Sequence, residues 1–377
     1  MLAKTILMTA DAVGGVLTYA LTLASELAKS GTKVHLAMMG PKQKPEQEAA
    51  IRALPNIVLH ESTYALEWMD EPWTDVARAA DWLRDLEREV RPDIIHLNGY
   101  CHGAAGFTAP VTVVAHSCVL SWWDAVENGG AANGDRNATP PQHYATYKEA
   151  VKRGLAAADA VIAVSQAMRT SLERHYGPLP RTAVVPNGLA APAARSGDKE
   201  HFILAAGRVW DRAKNIEMLA RVAPKLPWPV KVAGWDSGSH EGVESLGWLP
   251  PAELGAVMDR ASIFALPARY EPFGLTPLEA ALRGCALVLG DIPSLREVWG
   301  DAALYVRPDD EGALVDTITK LTSDEARRTE LAEAANLRAQ LYTPERNARA
   351  MRDLYETIIH ARRAPALPLQ RPETRSA

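Results

Sequence analysis

The chain has 377 residues, of which 47% are hydrophobic and 23% charged, and a formal net charge of −5. That length exceeds one ordinary core and points to two domains, while the acidic balance argues against nucleic acid as an obligate partner. Cys101, Cys118 and Cys285 lie far apart, with neither metal-ligand spacing nor a disulfide framework, so reduced thiols in a cytoplasm are expected.

The start, MLAKTILMTADAVGG, reads as a first strand. It lacks the long apolar region and small-residue cleavage site of a signal peptide. No apolar run approaches the ~20 residues needed to span a bilayer. From there, short apolar runs alternate with amphipathic helical patterns, the signature of doubly wound parallel sheets. In the first half, strands are expected over 5–9, 33–38, 93–97, 111–115 and 160–164, and helices over 16–29, 74–90 and 144–157. Residues 190–199 (AAPAARSGDK) are small, polar and proline-containing, which marks a linker. A second alternation follows, with strands over 201–206, 230–233, 262–266, 286–289 and 304–306 and helices over 216–223, 251–260 and 277–283. A last helix over 344–363 has no strand after it, and the proline- and arginine-rich tail 364–377 is expected to be disordered. The expected division is a first domain over 1–189, a linker over 190–199 and a second domain over 200–343. Two such domains imply a cleft, a common place for ligands.

The segment EPFGLTPLE, Glu271 to Glu279, carries the strongest functional signal. A glutamate beside the open amides of a helix start can accept hydrogen bonds from sugar hydroxyls, and the amides can meet an anion. The same letters also spell a capping box, Thr276-Pro277 followed by Glu279, in which Glu279 only caps its helix. The preceding strand favours function, because it delivers Glu271 to the carboxyl edge of a parallel sheet. Arg208 and Lys214 lie at the end of another strand and the start of the next helix. There they form a positive pocket suited to a diphosphate, unless both are ordinary surface cations.

The first strand ends in Asp11, and Gly14-Gly15 opens the next helix. Glycines there let backbone amides approach a phosphate, although a plain tight turn has the same letters. The GxGxxG fingerprint is missing, which rules out a dehydrogenase reading. His116, His96 and Asn98 also fall at strand ends; a lone histidine is more often structural than catalytic. Trp122-Trp123 precede a Gly/Asn/Pro-rich stretch to residue 142, read as a lid loop whose aromatic base either stacks on a sugar or anchors the loop. The chain has no DxD triplet, clustered metal ligands or nucleophile elbow, so its chemistry must rest on positioning and electrostatics.

In this order, the Gly14-Gly15 loop, VSQAMR, VVPNGL, GRVWDRAKN and EPFGLTPLEA resemble the retaining GT-B glycosyltransferases of family four, relatives of sucrose and glycogen synthases. The resemblance covers roughly residues 4–362. It implies an α/β GT-B fold: two Rossmann-like domains facing a cleft, acceptor side first and donor side second, with the C-terminal helix crossing back to the first domain. Carried over by motif, Arg208 and Lys214 neutralise the donor diphosphate, and Glu271 holds hydroxyls of the transferred sugar. Phe273, Gly274 and Leu275 supply nearby amides, and Glu279 binds the ribose. Gly14, Gly15 and Asn187 join the donor site, and His116 lines the sugar subsite. Asp11, His96, Asn98, Trp122 and Trp123 are acceptor-side candidates. The VWDRA wording before Lys214 departs from the shorter, glycine-ended loop of relatives.

The implied reaction moves a hexose from a nucleotide diphosphate sugar to an acceptor hydroxyl with retention, without metal or cofactor; family frequency favours UDP and glucose. The helix over 74–90 carries mixed charge rather than a basic face, which favours a soluble acceptor over a membrane-bound one. The rivals are a nucleotide-sugar epimerase of the same fold and a non-catalytic regulatory protein that has kept it.

Overall fold

The computed structural model describes residues 3–127, 142–179, 181–192, 198–234 and 242–363. Seven strands form the first sheet: β1 (Thr5–Asp11), β2 (Lys33–Met39), β3 (Ile57–Glu61), β4 (Ile94–Leu97), β5 (Val111–Ala115), β6 (Ala160–Ala163) and β7 (Thr182–Val184). Six form the second: β8 (Glu200–Ala206), β9 (Val230–Ala233), β10 (Val243–Gly247), β11 (Ala261–Leu266), β12 (Ala286–Gly290) and β13 (Leu304–Val306). The orders are β3-β2-β1-β4-β5-β6-β7 and β10-β9-β8-β11-β12-β13. Every pairing is parallel. Helices cover both faces, so central strands such as VTVVA (β5) and ASIFAL (β11) are buried throughout and read as continuous apolar runs.

Strand order reverses between β1 and β4 in the first sheet and between β8 and β11 in the second. These switch points open a crevice at the carboxyl ends of the strands, where such sheets bind ligands. The end of β1 and the loops after β1 and β4 carry Asp11, Gly14 and Asn98, and the loops after β8 and β11 carry Arg208, Lys214 and Glu271.

Three strands escape the sequence pattern because each lies at or near a sheet edge. β3 is half-buried, β7 has three residues and β10 has no buried residue, so their neighbours hold them more than their own hydrophobicity does. The two tryptophans are helical, within Val119–Val126. Both the lid loop over 128–141 and the tail 364–377 lie outside the described residues.

After the second sheet, the chain returns to the first. Helix Pro344–Arg363 packs on helix Gly15–Ala28 and buries Met351, Tyr355 and Ile359. Asn347 Nδ2 donates to the Pro186 carbonyl at 2.8 Å, and Arg362 Nε donates to Asp159 Oδ1 at 2.7 Å. Gly188 is required at this crossing, since a Cβ there would lie 2.3 Å from the Thr343 carbonyl oxygen. Among the described residues, no helix is long and apolar enough to cross a membrane.

Candidate active site

The loop leaving β8 folds around one buried carboxylate. Asp211 Oδ2 accepts from Arg208 Nη2 at 2.8 Å, and Oδ1 accepts from the Ala213 amide at 3.0 Å and, from the first domain, Trp122 Nε1 at 2.9 Å. Burial alone would raise the Asp211 pKa, but the Trp122 N–H, Arg208 and Lys214 together hold it below the ordinary value. Asp211 therefore fixes Arg208 at the cleft while staying ionised. The VWDRA departure thus supplies the residue that anchors the arginine.

Lys214, six residues on from Arg208, donates Nζ to Glu271 Oε2 at 2.5 Å, with side-chain exposures of 18% and 12%. The Glu271 loop is tied from behind by Ser294 Oγ, which donates to the Glu271 carbonyl at 2.5 Å. It is tied from across the cleft by Ser165 Oγ, which donates to the Pro272 carbonyl at 2.7 Å. The neighbouring Tyr270 hydroxyl oxygen accepts the Cys118 amide at 3.0 Å. Thus two first-domain elements fix the loop that carries Glu271.

The helix after this loop runs Leu275–Leu282, with Gly274 as its N-cap at φ +94° and no side-chain cap. The capping-box reading fails on this geometry. Helix entry occurs at Leu275, so Thr276 and Pro277 are already inside and Glu279 lies beyond the first turn. The left-handed conformation of Gly274 starts the helix two residues early and leaves its leading amides without a side-chain cap. Glu279 instead accepts from Arg283 Nε at 3.3 Å, and Arg283 Nη1 reaches Asp259 Oδ1 at 3.1 Å. Burial raises the Glu279 pKa, and Arg283 pulls it partly back. Phe273 is buried against Tyr342, with ring centroids 5.4 Å apart.

The first domain meets this surface through its glycines. A Cβ on Gly14 would lie 3.1 Å from Arg208 Nη1, and one on Gly15 would lie 3.1 Å from Leu275 Cδ1. The glycine loop therefore touches both the cation and the helix start. Asp11 Oδ1 accepts from the Val13 amide at 2.9 Å; its pKa is raised by burial and moderated by that amide and by Arg208. His116 Nε2 bonds Asn98 Oδ1 at 2.8 Å, and the same oxygen meets His96 Nε2 at 3.0 Å.

Four expected site residues are buried or engaged within the protein. Trp123 is buried, as the loop-anchoring reading expects. Trp122 spends its indole N–H on Asp211 and thereby joins the two domains. Asn187 is buried beside the crossing made by Gly188 and Thr343. His96 is likewise fully buried. Asp211, Ser165, Tyr270 and Arg283 escaped sequence reading because their partners are distant in the chain or their letters are common. Arg283, four residues after Glu279, and Asp211, three after Arg208, left local traces.

Among the described residues, no three His, Cys, Asp or Glu side chains cluster so as to hold a metal ion.

Two family models match consecutive stretches of the chain. "Glycosyltransferase Family 4" matches residues 13–191 and "Glycosyl transferases group 1" matches residues 191–338. The chain is 27% identical to a glycogen synthase of Mycobacterium tuberculosis, over 74% of this chain and 73% of that one. It is also 27% identical to a D-inositol 3-phosphate glycosyltransferase of Rhodococcus opacus, over 92% and 86%. In fold it is similar to sucrose-phosphate synthase from Thermosynechococcus elongatus, with a TM-score of 0.75 at 21% identity, covering 95% of this chain and 100% of that one. It is similar as well to Anabaena HepE solved with UDP and glucose, with a TM-score of 0.70 at 15% identity, covering 94% and 100%. The chain belongs to the family 4 GT-B glycosyltransferases. It is accordingly a glycosyltransferase that takes nucleotide-sugar donors.

Proposed function

We propose that the protein transfers glucose from UDP-glucose to an acceptor hydroxyl, with retention at the anomeric carbon and without a metal. The observation that carries this reading is the convergence of Arg208, Lys214 and Glu271 with the glycine loop and an open helix start in one crevice. Support for UDP and glucose comes from HepE, solved with both. The three buried cysteines, none of them in a disulfide, fit a cytoplasmic enzyme.

In this mechanism the anomeric C–O bond breaks and its electron pair moves onto the departing diphosphate. Arg208 and Lys214 neutralise that growing charge, so they bind the transition state more tightly than the ground state. The acceptor oxygen attacks from the face the diphosphate leaves, and its proton passes to a leaving phosphate oxygen. Glu271 receives hydroxyls of the transferred sugar, Glu279 those of the ribose, and Gly14-Gly15 admits the phosphates. No covalent enzyme intermediate is required, and the paired-carboxylate scheme of glycosidases does not apply, because the second glutamate serves the nucleotide. A soluble hydroxylated acceptor enters from the first domain.

The test is to follow release of nucleoside diphosphate with a panel of donors and acceptors, and to assign the anomeric configuration of the product by NMR. Acceptor-dependent release of UDP with an α-linked product supports the reading. An inverted product sinks the mechanism, and epimerised donor with no transfer sinks the reaction.

A further inference from the structure

Asn98 stands between two imidazoles and is itself fixed. Its side-chain nitrogen donates to the Thr9 carbonyl oxygen at 2.6 Å, and its backbone amide donates to Thr9 Oγ1 at 2.9 Å. The side-chain oxygen is therefore the atom turned toward His96 Nε2 at 3.0 Å and His116 Nε2 at 2.8 Å. A carboxamide oxygen only accepts hydrogen bonds, so each histidine carries its proton on Nε2.

That assignment propagates in both directions. His96 Nδ1 is left as an acceptor, and the Tyr355 hydroxyl donates to it at 2.5 Å from the C-terminal helix. His116 Nδ1 is left with a lone pair, and it has no hydrogen-bond partner among the described residues. Tyr19 packs edge-on against His116, with ring centroids 4.5 Å apart, and restrains the ring. Burial, aided for His116 by its neighbour His96, depresses both pKa values, to about 4 for His96 and about 3 for His116. Both rings are thus neutral at physiological pH, as the hydrogen-bond pattern requires.

We infer that Asn98 is a positioning residue that holds His116 as its Nε2–H tautomer, so that Nδ1 accepts a hydrogen bond from a donor-sugar hydroxyl, and that Tyr355 secures this arrangement through His96. The inference rests on the reading that His116 lines the sugar subsite. His116 then selects a hydroxyl by accepting from it and does not act as an acid. A site built to bond a hydroxyl discriminates strongly against the analogue lacking it, because a buried polar group is left unpaired.

The test begins with NMR of the full-length protein carrying isotope-labelled histidine, which separates protonated from unprotonated ring nitrogens. Wild type should show a neutral His116 protonated on Nε2. In Asn98→Leu the His116 proton should distribute over both nitrogens, and in Tyr355→Phe the His96 proton should do so. Turnover of Asn98→Leu should fall roughly tenfold to a hundredfold, the scale of one lost hydrogen bond at an oriented site, with UDP affinity unchanged. In a series of monodeoxy UDP-glucose donors, one member should be disfavoured by wild type, with that penalty absent in His116→Ala and reduced in Asn98→Leu. A wild-type His116 protonated on Nδ1 would overturn the inference. So would an Asn98→Leu variant with unchanged tautomer and unchanged deoxy penalty. If instead the tautomers behave as stated but His116→Ala keeps full turnover and the deoxy penalty, the sugar-subsite reading fails and the role of Asn98 in fixing the tautomer stands.

Discussion

Lys214 Nζ and Glu271 Oε2 lie 2.5 Å apart, an ion pair that joins the loop after β8 to the loop after β11. The two strands are direct neighbours, so the pair spans the switch point of the second sheet. Under the proposed function, a diphosphate entering this crevice would compete with Glu271 for the lysine and release the carboxylate toward the sugar hydroxyls.

Glu271→Gln keeps the shape of the side chain and removes its charge. Turnover is expected to fall by about 10²–10³ while the protein stays folded. Lys214→Ala should lose a similar factor in turnover and about 1–2 kcal/mol of stability, less than a fully buried pair would cost. Steady-state kinetics and thermal melts of both variants check this, and near-normal turnover in either sinks the assignment.

Because Glu279 does not cap its helix, Glu279→Ala should change stability by less than about 1 kcal/mol. Arg283 keeps its partner Asp259 in that variant. The expected loss is in nucleotide binding, roughly tenfold in the dissociation constant of UDP by calorimetry, on the scale of one lost hydrogen bond. A large drop in melting temperature with unchanged UDP affinity would assign Glu279 to the fold alone.

Gly274 has φ +94°, and a Cβ there would lie 3.2 Å from Pro277 Cγ and 3.4 Å from Glu271 Cγ. Gly274→Ala is expected to cost about 1–2 kcal/mol and to disturb the helix start and Glu271 together. Chemical denaturation measures the first effect, and donor-saturated turnover measures the second.

The buried histidines make stability pH-dependent in a definite direction. His96 has its pKa lowered to about 4 by burial, against an ordinary value of 6.5, so the unfolded chain takes up this proton first. Its contribution is therefore fully present above about pH 6.5, and roughly 3 kcal/mol is lost as the pH falls to about 4. His116, also depressed, adds to the same trend. Urea unfolding between about pH 7 and pH 4 should show this slope, and His96→Gln should flatten it. An unchanged slope in His96→Gln would refute it.

The residues that sequence reading found share a physical trait. Arg208, Lys214 and Glu271 each follow a strongly apolar strand, and such strands are legible because burial on both faces demands an uninterrupted hydrophobic run. Gly14 and Gly15 were legible because close backbone approach leaves few other choices. What escaped depends on contacts remote in sequence. Nothing near Trp122 announces that its N–H meets Asp211, 89 residues away. The start of the Leu275–Leu282 helix was misread because local capping letters compete with a left-handed glycine.

The C-terminal helix has a consequence for how the molecule comes into being. His96 and its partner Tyr355 are 259 residues apart, so the polar network of the first sheet acquires this member only after the second sheet has been synthesised. Throughout translation of the second sheet, the face of helix Gly15–Ala28 that Pro344–Arg363 will cover must wait uncovered. The earlier of the two sheets is in this sense completed after the later one, and the buried His96 gains its Tyr355 partner only then.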